Sequence, residues 1–379
     1  MSSKIRVMLV DDSAVVRGLF DRALREDSAI EIVASASNGE IAINMLKKTA
    51  VDVMLLDIEM PVMDGIAALP ELLKISPKTR IIMSSTLTQK NAEISVRAMQ
   101  LGASDYIAKP STRDLVGVDE FYRSLITKIK ALAPYVRGED SVAKPEKKMV
   151  VTGVQATAVA AATPARVNGL YEPIALPTLA VRPKEKLTGM QALAIASSTG
   201  GPQALLSIFR EFKGITMRVP IFITQHMPAN FTAILADHIS KASGFDCHEG
   251  IDDEEVKPGI IYLAPGDYHM TVTRDGAKPC RIKLDQSPPE NFCRPSADPM
   301  LRSLAKLYND KLLVVVLTGL GADGARGASD VVSAGGAVVA QDEATSVVYG
   351  MPKAVAEAKL TSAVFALNAI APFLIRSVT

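Results

Sequence analysis

Cysteine is scarce: Cys247, Cys280 and Cys293 are the only three in 379 residues. None belongs to a CxxC pair, so the chain offers neither a disulfide framework nor a zinc site and suits a reducing compartment, the cytoplasm. An excess of one charge is also missing. Lysine plus arginine number 42 against 41 aspartate plus glutamate, which argues against a basic surface that would draw nucleic acid. The balance holds locally, with 17 basic and 17 acidic residues up to Ala133 and 17 and 19 after Leu187. Long apolar runs are absent too. The uncharged stretch Met149 to Ala165 spans 17 residues, but its Thr, Gln, Gly and Ala content is too polar for a membrane span. The start, MSSKIRVMLVDD, meets two aspartates after a short apolar run and lacks the apolar core of a secretory signal.

What is present is periodicity, in two blocks. Up to about Ala131, short apolar runs (IRVMLV, IEIVASA, VDVMLL, RIIMS, DYIA) alternate with amphipathic stretches over Val15 to Arg25, from Glu40, from Gly65, from Asn91 and near Glu120 to Lys130. Five strands alternating with five helices predict a parallel sheet covered on both faces. The period lapses over 136–187, rich in Ala, Pro, Thr and Val, which reads as a flexible linker spanning roughly 40 Å as a loose coil. It returns in QALAIASS, VPIFITQ, GIIYLA, LLVVVLT and AVVAQ, with helical patterns from Pro202, Pro228, Asp298, Gly324 and Met351. A polar insert, Tyr268 to Leu284, alternates like a β-hairpin around RDGAK. The expected class is α/β: two doubly wound domains, 1–135 and 188–379, with mainly parallel sheets and a 136–187 linker between them.

In such sheets the carboxyl ends of the strands line the ligand crevice. Asp11 and Asp12 end the first strand and Asp57 the third. Three carboxylates in one crevice repel unless a hard cation sits among them, and oxygen ligands favour Mg²⁺, which would hold a phosphoryl group beside Asp57. Ser84 ends the fourth strand, with Ser85 directly after it, and Lys109 the fifth; a hydroxyl and an ammonium at that rim suit a phosphate. Each residue alone has a structural reading: Asp12 or Ser13 as a helix cap, Lys109 as a solvated lysine, Asp57 as a loop opener. Their joint position at four strand ends outweighs it. VDDS, LLDIEMPVMDG, MSS and GASDYIAKP, in this order, resemble the receiver domain of bacterial two-component response regulators. The resemblance implies Asp57 as phosphoacceptor, Asp11, Asp12, Asp57 and Glu59 (through its carbonyl) around Mg²⁺, Ser84 and Lys109 as phosphate sensors, and Tyr106 as an aromatic that changes rotamer on activation.

The second block carries IASSTGGPQ at a strand-to-helix corner, with the strand expected to end at Ala196. Its hydroxyls suit either a helix cap or a nucleophile, whose oxyanion the helix amides would hold. IFITQHMP delivers His226 past the next strand, and VVVLTGLGADG delivers Asp323 past a later one. A serine, a base and an orienting carboxylate on one sheet edge are what acyl transfer needs. Asp323 could instead cap the helix after it. The order Ser, His, Asp and the lack of a GxSxG elbow separate the chain from α/β-hydrolases. GLGADG, 319–324, is literally GxGxxG, with Asp342 and Glu343 about 20 residues on, as a dinucleotide-binding oxidoreductase would require. Asp323 inside that loop would repel pyrophosphate, which weighs against this alternative.

IASSTGGPQAL, ITQHMPANFT, YLAPGDYHM, CRPSADPML, LTGLGADGA and VVYGMPKAV resemble the catalytic domain of the chemotaxis protein-glutamate methylesterase family, CheB. A receiver joined by a linker to this domain is that family's architecture. Carried over, the resemblance implies Ser198 as nucleophile, His226 as base and Asp323 as orienting acid; separately, the backbone around Thr199 and Leu320 is expected to form the oxyanion hole. It implies a cytoplasmic enzyme that hydrolyses glutamate γ-methyl esters, and deamidates glutamines, on methyl-accepting chemotaxis receptors. Its phosphodonor would be a histidine kinase, and its catalytic domain would use no cofactor. An unphosphorylated receiver is expected over the Ser198 edge. The non-catalytic alternative is a phosphorylation-controlled interaction protein whose triad positions are caps.

Overall fold

The structure, a computed structural model, describes residues 4–85, 88–109, 118–137, 176 and 179–378. The first block runs β1 (Ile5–Val10), α1 (Ala14–Arg25), β2 (Ile30–Ala36), α2 (Gly39–Leu46), β3 (Val53–Asp57), α3 (Gly65–Ile75), β4 (Arg80–Ser85), α4 (Gln89–Gln100), β5 (Asp105–Ala108) and α5 (Val118–Arg137). Its five strands pair in parallel in the order β2-β1-β3-β4-β5. Strand β3, VMLLD, is buried at every position, as a sheet covered on both faces demands. The helices start on polar caps: Ser13 Oγ accepts from Val16 N, Asn38 from Ile41 N and Asp64 from Ala67 N. Ser13, and not Asp12, is therefore the cap of α1, and Asp12 stays exposed at the strand end.

The second block runs β6 (Ala192–Ser197), α6 (Gly201–Arg210), β7 (Ile221–Gln225), α7 (Phe231–Ser243), β8 (Asp246–Glu249), β9 (Ile260–Leu263), β10 (His269–Thr273), β11 (Arg281–Asp285), α8 (Ala297–Tyr308), β12 (Leu312–Val316), α9 (Ala325–Ser333), β13 (Ala337–Gln341), α10 (Met351–Glu357), β14 (Ala363–Phe365) and α11 (Leu367–Val378). Seven strands form a parallel sheet in the order β14-β13-β12-β6-β7-β9-β8, and β10 with β11 makes the expected antiparallel hairpin. The expected five-strand sheet thus gains two edge strands. DCHE of β8 is too polar to read as a strand, and β14 has three residues. Strand β6 runs one residue further than expected, to Ser197. Helix α7 begins at Phe231 and not near Pro228, because Asn230 takes a left-handed φ of 70°.

The expected linker is shorter at both ends. Helix α5 continues to Arg137, and the segment before β6 is anchored. Arg182 donates to the carbonyls of Asp310 and Lys186, Leu187 is buried, and Leu176 and Leu179 pack on the core of the second block. Residues 138–175 lie outside the described residues. One apolar cluster is shared by both blocks: Met99, Ala103 and Tyr106 join Leu205, Phe231, Leu235 and Ile239.

Candidate active site

Strands β6 and β7 are neighbours with Ser197 opposite Gln225. Ser198 and His226, one step further on, leave adjacent strands at the same edge, and His226 N donates to the Ser197 carbonyl at 3.1 Å. Strand β12 flanks β6 on its other side, and the loop after it carries Asp323. The two serines are distinguished by the pleat. Ser197 is fully buried and its Oγ donates to Gln225 Oε1 at 2.7 Å, whereas Ser198, just past the strand, is half-buried. Gln225 Nε2 in turn donates to the Ser198 carbonyl at 2.9 Å, fixing the corner's backbone. The glycines here serve close approach. A Cβ on Gly201 would stand 2.0 Å from Gln225 Oε1, and one on Gly319 would stand 2.9 Å from Ser198 Cβ.

His226 Nε2 lies 2.7 Å from Asp323 Oδ2. Asp323 Oδ1 also accepts from Ser296 Oγ and Asn291 Nδ2, both at 2.7 Å, and Oδ2 accepts from Ala297 N at 2.6 Å. Burial disfavours this carboxylate, but His226 and the surrounding donors outweigh it and hold the carboxyl down at about 2. The cap reading of Asp323 is therefore half right. It receives the first amides of α8, Ala297 and Asp298, while α9 starts on Gly324 in the left-handed region, φ 87°. Asp298, a second buried carboxyl, shares Asn291 with Asp323; burial first, then the charge of Asp323, pushes it up to about 6.

The imidazole's other nitrogen, Nδ1, faces Cys293 Sγ at 3.4 Å. Burial works against the charged ring, yet Cys293 and Asp323 outweigh it and raise its pKa well above the ordinary histidine value. Among the described residues no hydrogen bond joins Ser198 Oγ to the ring, and the Thr199 and Leu320 amides have no acceptor. The GxGxxG loop closes on Ser198 and buries an anion, so the dinucleotide reading finds no phosphate cradle there. The other histidines serve elsewhere: His238 meets Gln100, His248 meets Asp246 and Glu254, and His269 meets Pro288 and Ser296.

At the other sheet, ligand atoms of Asp11, Asp12 and Asp57 lie within 4.8 Å of one another. Lys109 Nζ reaches Asp11 Oδ2 at 2.7 Å and Asp57 Oδ1 at 2.8 Å. Burial, with the charge of Asp11 added, pushes the Asp57 carboxyl up to about 6 against the pull of Lys109. Such a set of hard, crowded oxygens fits Mg²⁺. A cavity of about 310 Å³ beside it is lined by Asp12, Asp57, Ile58, Glu59, Ser85, Asn91 and Lys109. Ser85, whose Oγ lies 3.2 Å from Ser95 Oγ, is one of the lining residues, and Ser84 stands in register with Asp57. Ser84 Oγ is buried without a hydrogen-bond partner among the described residues.

Residues 193–374 match the family model for CheB methylesterase, and residues 7–117 match the response regulator receiver domain. The chain is 49% identical over 376 residues to the protein-glutamate methylesterase/protein-glutamine glutaminase 1 of Paramagnetospirillum magneticum, covering 99% of this chain and 96% of that protein. It is 48% identical to the Azospirillum brasilense protein-glutamate methylesterase/protein-glutamine glutaminase over 98% of this chain and 92% of that one. This chain belongs to the protein-glutamate methylesterase/protein-glutamine glutaminase family. The solved catalytic domain of Thermotoga maritima CheB methylesterase is 39% identical, covers 50% of this chain and 98% of that one, and superposes with a TM-score of 0.47.

In this methylesterase the receiver half lies on the catalytic edge. Thr199 Oγ1, beside Ser198, donates to Asp105 Oδ2 of β5 at 2.6 Å. Gln203 Nε2 donates to the Ala103 carbonyl. Tyr106 stacks on Phe231 with ring centroids 4.6 Å apart, and Gln100 Nε2 lies 2.7 Å from His238 Nδ1. Leu320, Val347 and Val348 of the methylesterase half join the receiver's apolar cluster around Phe121 and Leu125. Sequence reasoning missed Asn291, Ser296, Asp298 and Cys293 around the imidazole. Ser296 and Asp298 lie in SADP, which reads only as a local helix start, and nothing in it points to a carboxylate 25 residues on.

Proposed function

We propose that this protein is a cytoplasmic, phosphorylation-regulated serine hydrolase that removes γ-methyl groups from glutamate, and deamidates glutamine, on methyl-accepting chemotaxis receptors. The single observation that carries the chemistry is the 2.7 Å contact between His226 and the buried Asp323 beside the Ser198 corner. Ser198 Oγ attacks the ester carbonyl, the imidazole takes its proton, and the Thr199 and Leu320 amides hold the oxyanion. The imidazole then gives the proton to the departing methoxide, which leaves as methanol. Water, deprotonated by the same ring, hydrolyses the acyl-enzyme and regenerates Ser198. The nitrogen not held by Asp323 must turn from Cys293 to Ser198 for this; contacts of this kind often form only with substrate bound.

Regulation enters through Asp57. Asp11, Asp12, Asp57 and the Glu59 carbonyl would hold Mg²⁺, which neutralises charge during phosphoryl transfer from a histidine kinase. Lys109 and Ser84, which stands in register with Asp57 on the neighbouring strand, would contact the phosphoryl oxygens. Moving Tyr106 would break its stack on Phe231 and loosen Asp105 from Thr199, opening the corner to substrate.

The full chain with Mg²⁺ and acetyl phosphate is expected to release methanol from methylated receptor faster than without the phosphodonor. Asp57→Asn should keep the basal rate and lose the stimulation; stimulation that persists would exclude this phosphoacceptor. Tyr106→Ala is expected to raise the basal rate without phosphodonor by roughly three- to tenfold, since an aromatic pair contributes about 0.5–1.5 kcal/mol beyond its area and about 1.4 kcal/mol is a factor of ten. A basal rate unchanged in that variant would mean that the stack does not restrain the receiver.

A further inference from the structure

Phe292 is fully exposed, at 103% of its reference area, and adjoins Cys293, whose Sγ touches His226. Its backbone is left-handed, φ 61°, directly after Asn291 at φ 54°. Such a conformation is uncommon for a bulky side chain and persists only where the surroundings impose it. They do so here. Asn291 Nδ2 is held between Asp298 and Asp323, at 2.8 and 2.7 Å. Cys293 N closes a turn on the Glu290 carbonyl at 3.0 Å, and Glu290 is ion-paired to Arg302 at 2.6 Å. The catalytic carboxylate network thus displays a phenyl ring outward at the rim of the reaction centre. The receiver half meets that centre at Thr199 and the Leu320 loop and leaves the ring bare.

An aromatic held on a rigid turn has little conformational freedom to lose on binding, and aromatics dominate the energetics of protein recognition. We propose that Phe292 is a specificity-determining residue that packs on the apolar face of the receptor helix flanking the methylated glutamate. This deepens the methylesterase reading and rests on it. The ester itself would enter the polar corner, while the ring grips the helix outside it.

The test uses the full chain, Mg²⁺ and acetyl phosphate, with a methylated cytoplasmic receptor fragment and p-nitrophenyl acetate as probes. Phe292→Ala is expected to raise KM for the fragment roughly tenfold, as truncating an interface anchor does, with kcat and small-ester hydrolysis nearly unchanged. Phe292→Trp should restore KM. Because the chain contains no tryptophan, that variant has a single indole, whose emission should shift to the blue when the fragment is added. An unchanged KM in Phe292→Ala, equal losses on both substrates, or an unshifted indole would overturn the assignment. If the wild type released no methanol from the fragment, the methylesterase reading would fail instead, and the indole emission would still decide whether the ring meets the helix.

Discussion

Ser198→Ala is expected to lower kcat for methanol release by a factor on the order of 10⁴ to 10⁶, because removing the nucleophile leaves only binding and the oxyanion amides. The neighbouring substitution is the control. Ser197→Ala removes the buried bond from Oγ to Gln225 Oε1, which costs about 1 kcal/mol of stability, and should leave turnover within roughly tenfold of wild type, since about 1.4 kcal/mol of lost positioning is one factor of ten. Single-turnover methanol release on both variants separates the roles. Full activity in Ser198→Ala, with loss in Ser197→Ala, would place the chemistry on the buried hydroxyl and leave the half-buried one as a helix-start residue.

Asp323→Asn should lower kcat on the order of 10³- to 10⁴-fold, because an amide can hold the ring in the wrong tautomer and supplies no charge to an imidazolium. Its pH profile carries a second signature. In the wild type Asp323 and Cys293 raise the His226 pKa, so the fraction of neutral imidazole, the form that acts as base, grows as pH rises through that raised value. Removing the carboxylate should move the acid limb of kcat to lower pH. The stability effect runs in the same direction with pH, but at a lower pH. A carboxyl held at about 2 when folded stabilises the fold above its unfolded pKa, and that contribution fades as pH falls toward 2. Circular dichroism at neutral pH confirms that the variant is folded, and an acid limb that stays in place would remove Asp323 from the ring's environment.

The class of fold was legible because fully buried parallel strands such as LLVVV of β12 leave an uninterrupted apolar run, which polar-edged β8 and three-residue β14 do not. The first sheet was therefore readable throughout, and the second at its centre but at neither edge. The residues His226 and Asp323 were legible for a related reason: they sit just past central strands, where the doubly wound topology forces side chains together. The choice between the two serines was not, since it depends on which face of the pleat each occupies and on where β6 stops. Likewise Ser84 and Ser85 differ only by one step along β4, with Ser84 in register with Asp57 and Ser85 in the lining of the cavity beside it. Asn291 and Asp298 were invisible as site residues because their partner is remote in sequence and their local pattern is that of any helix start.

The proposed catalytic groups follow three consecutive strands, β12, β6 and β7, which lie inside a seven-stranded sheet with other strands beyond them on both sides. Those interior ladders open last when a protein breathes, whereas margins fray first. The reacting corner is therefore expected to share the slow amide exchange of the sheet interior. Motion is left to the receiver pressed against it, so access to the site can be adjusted without loosening the site itself.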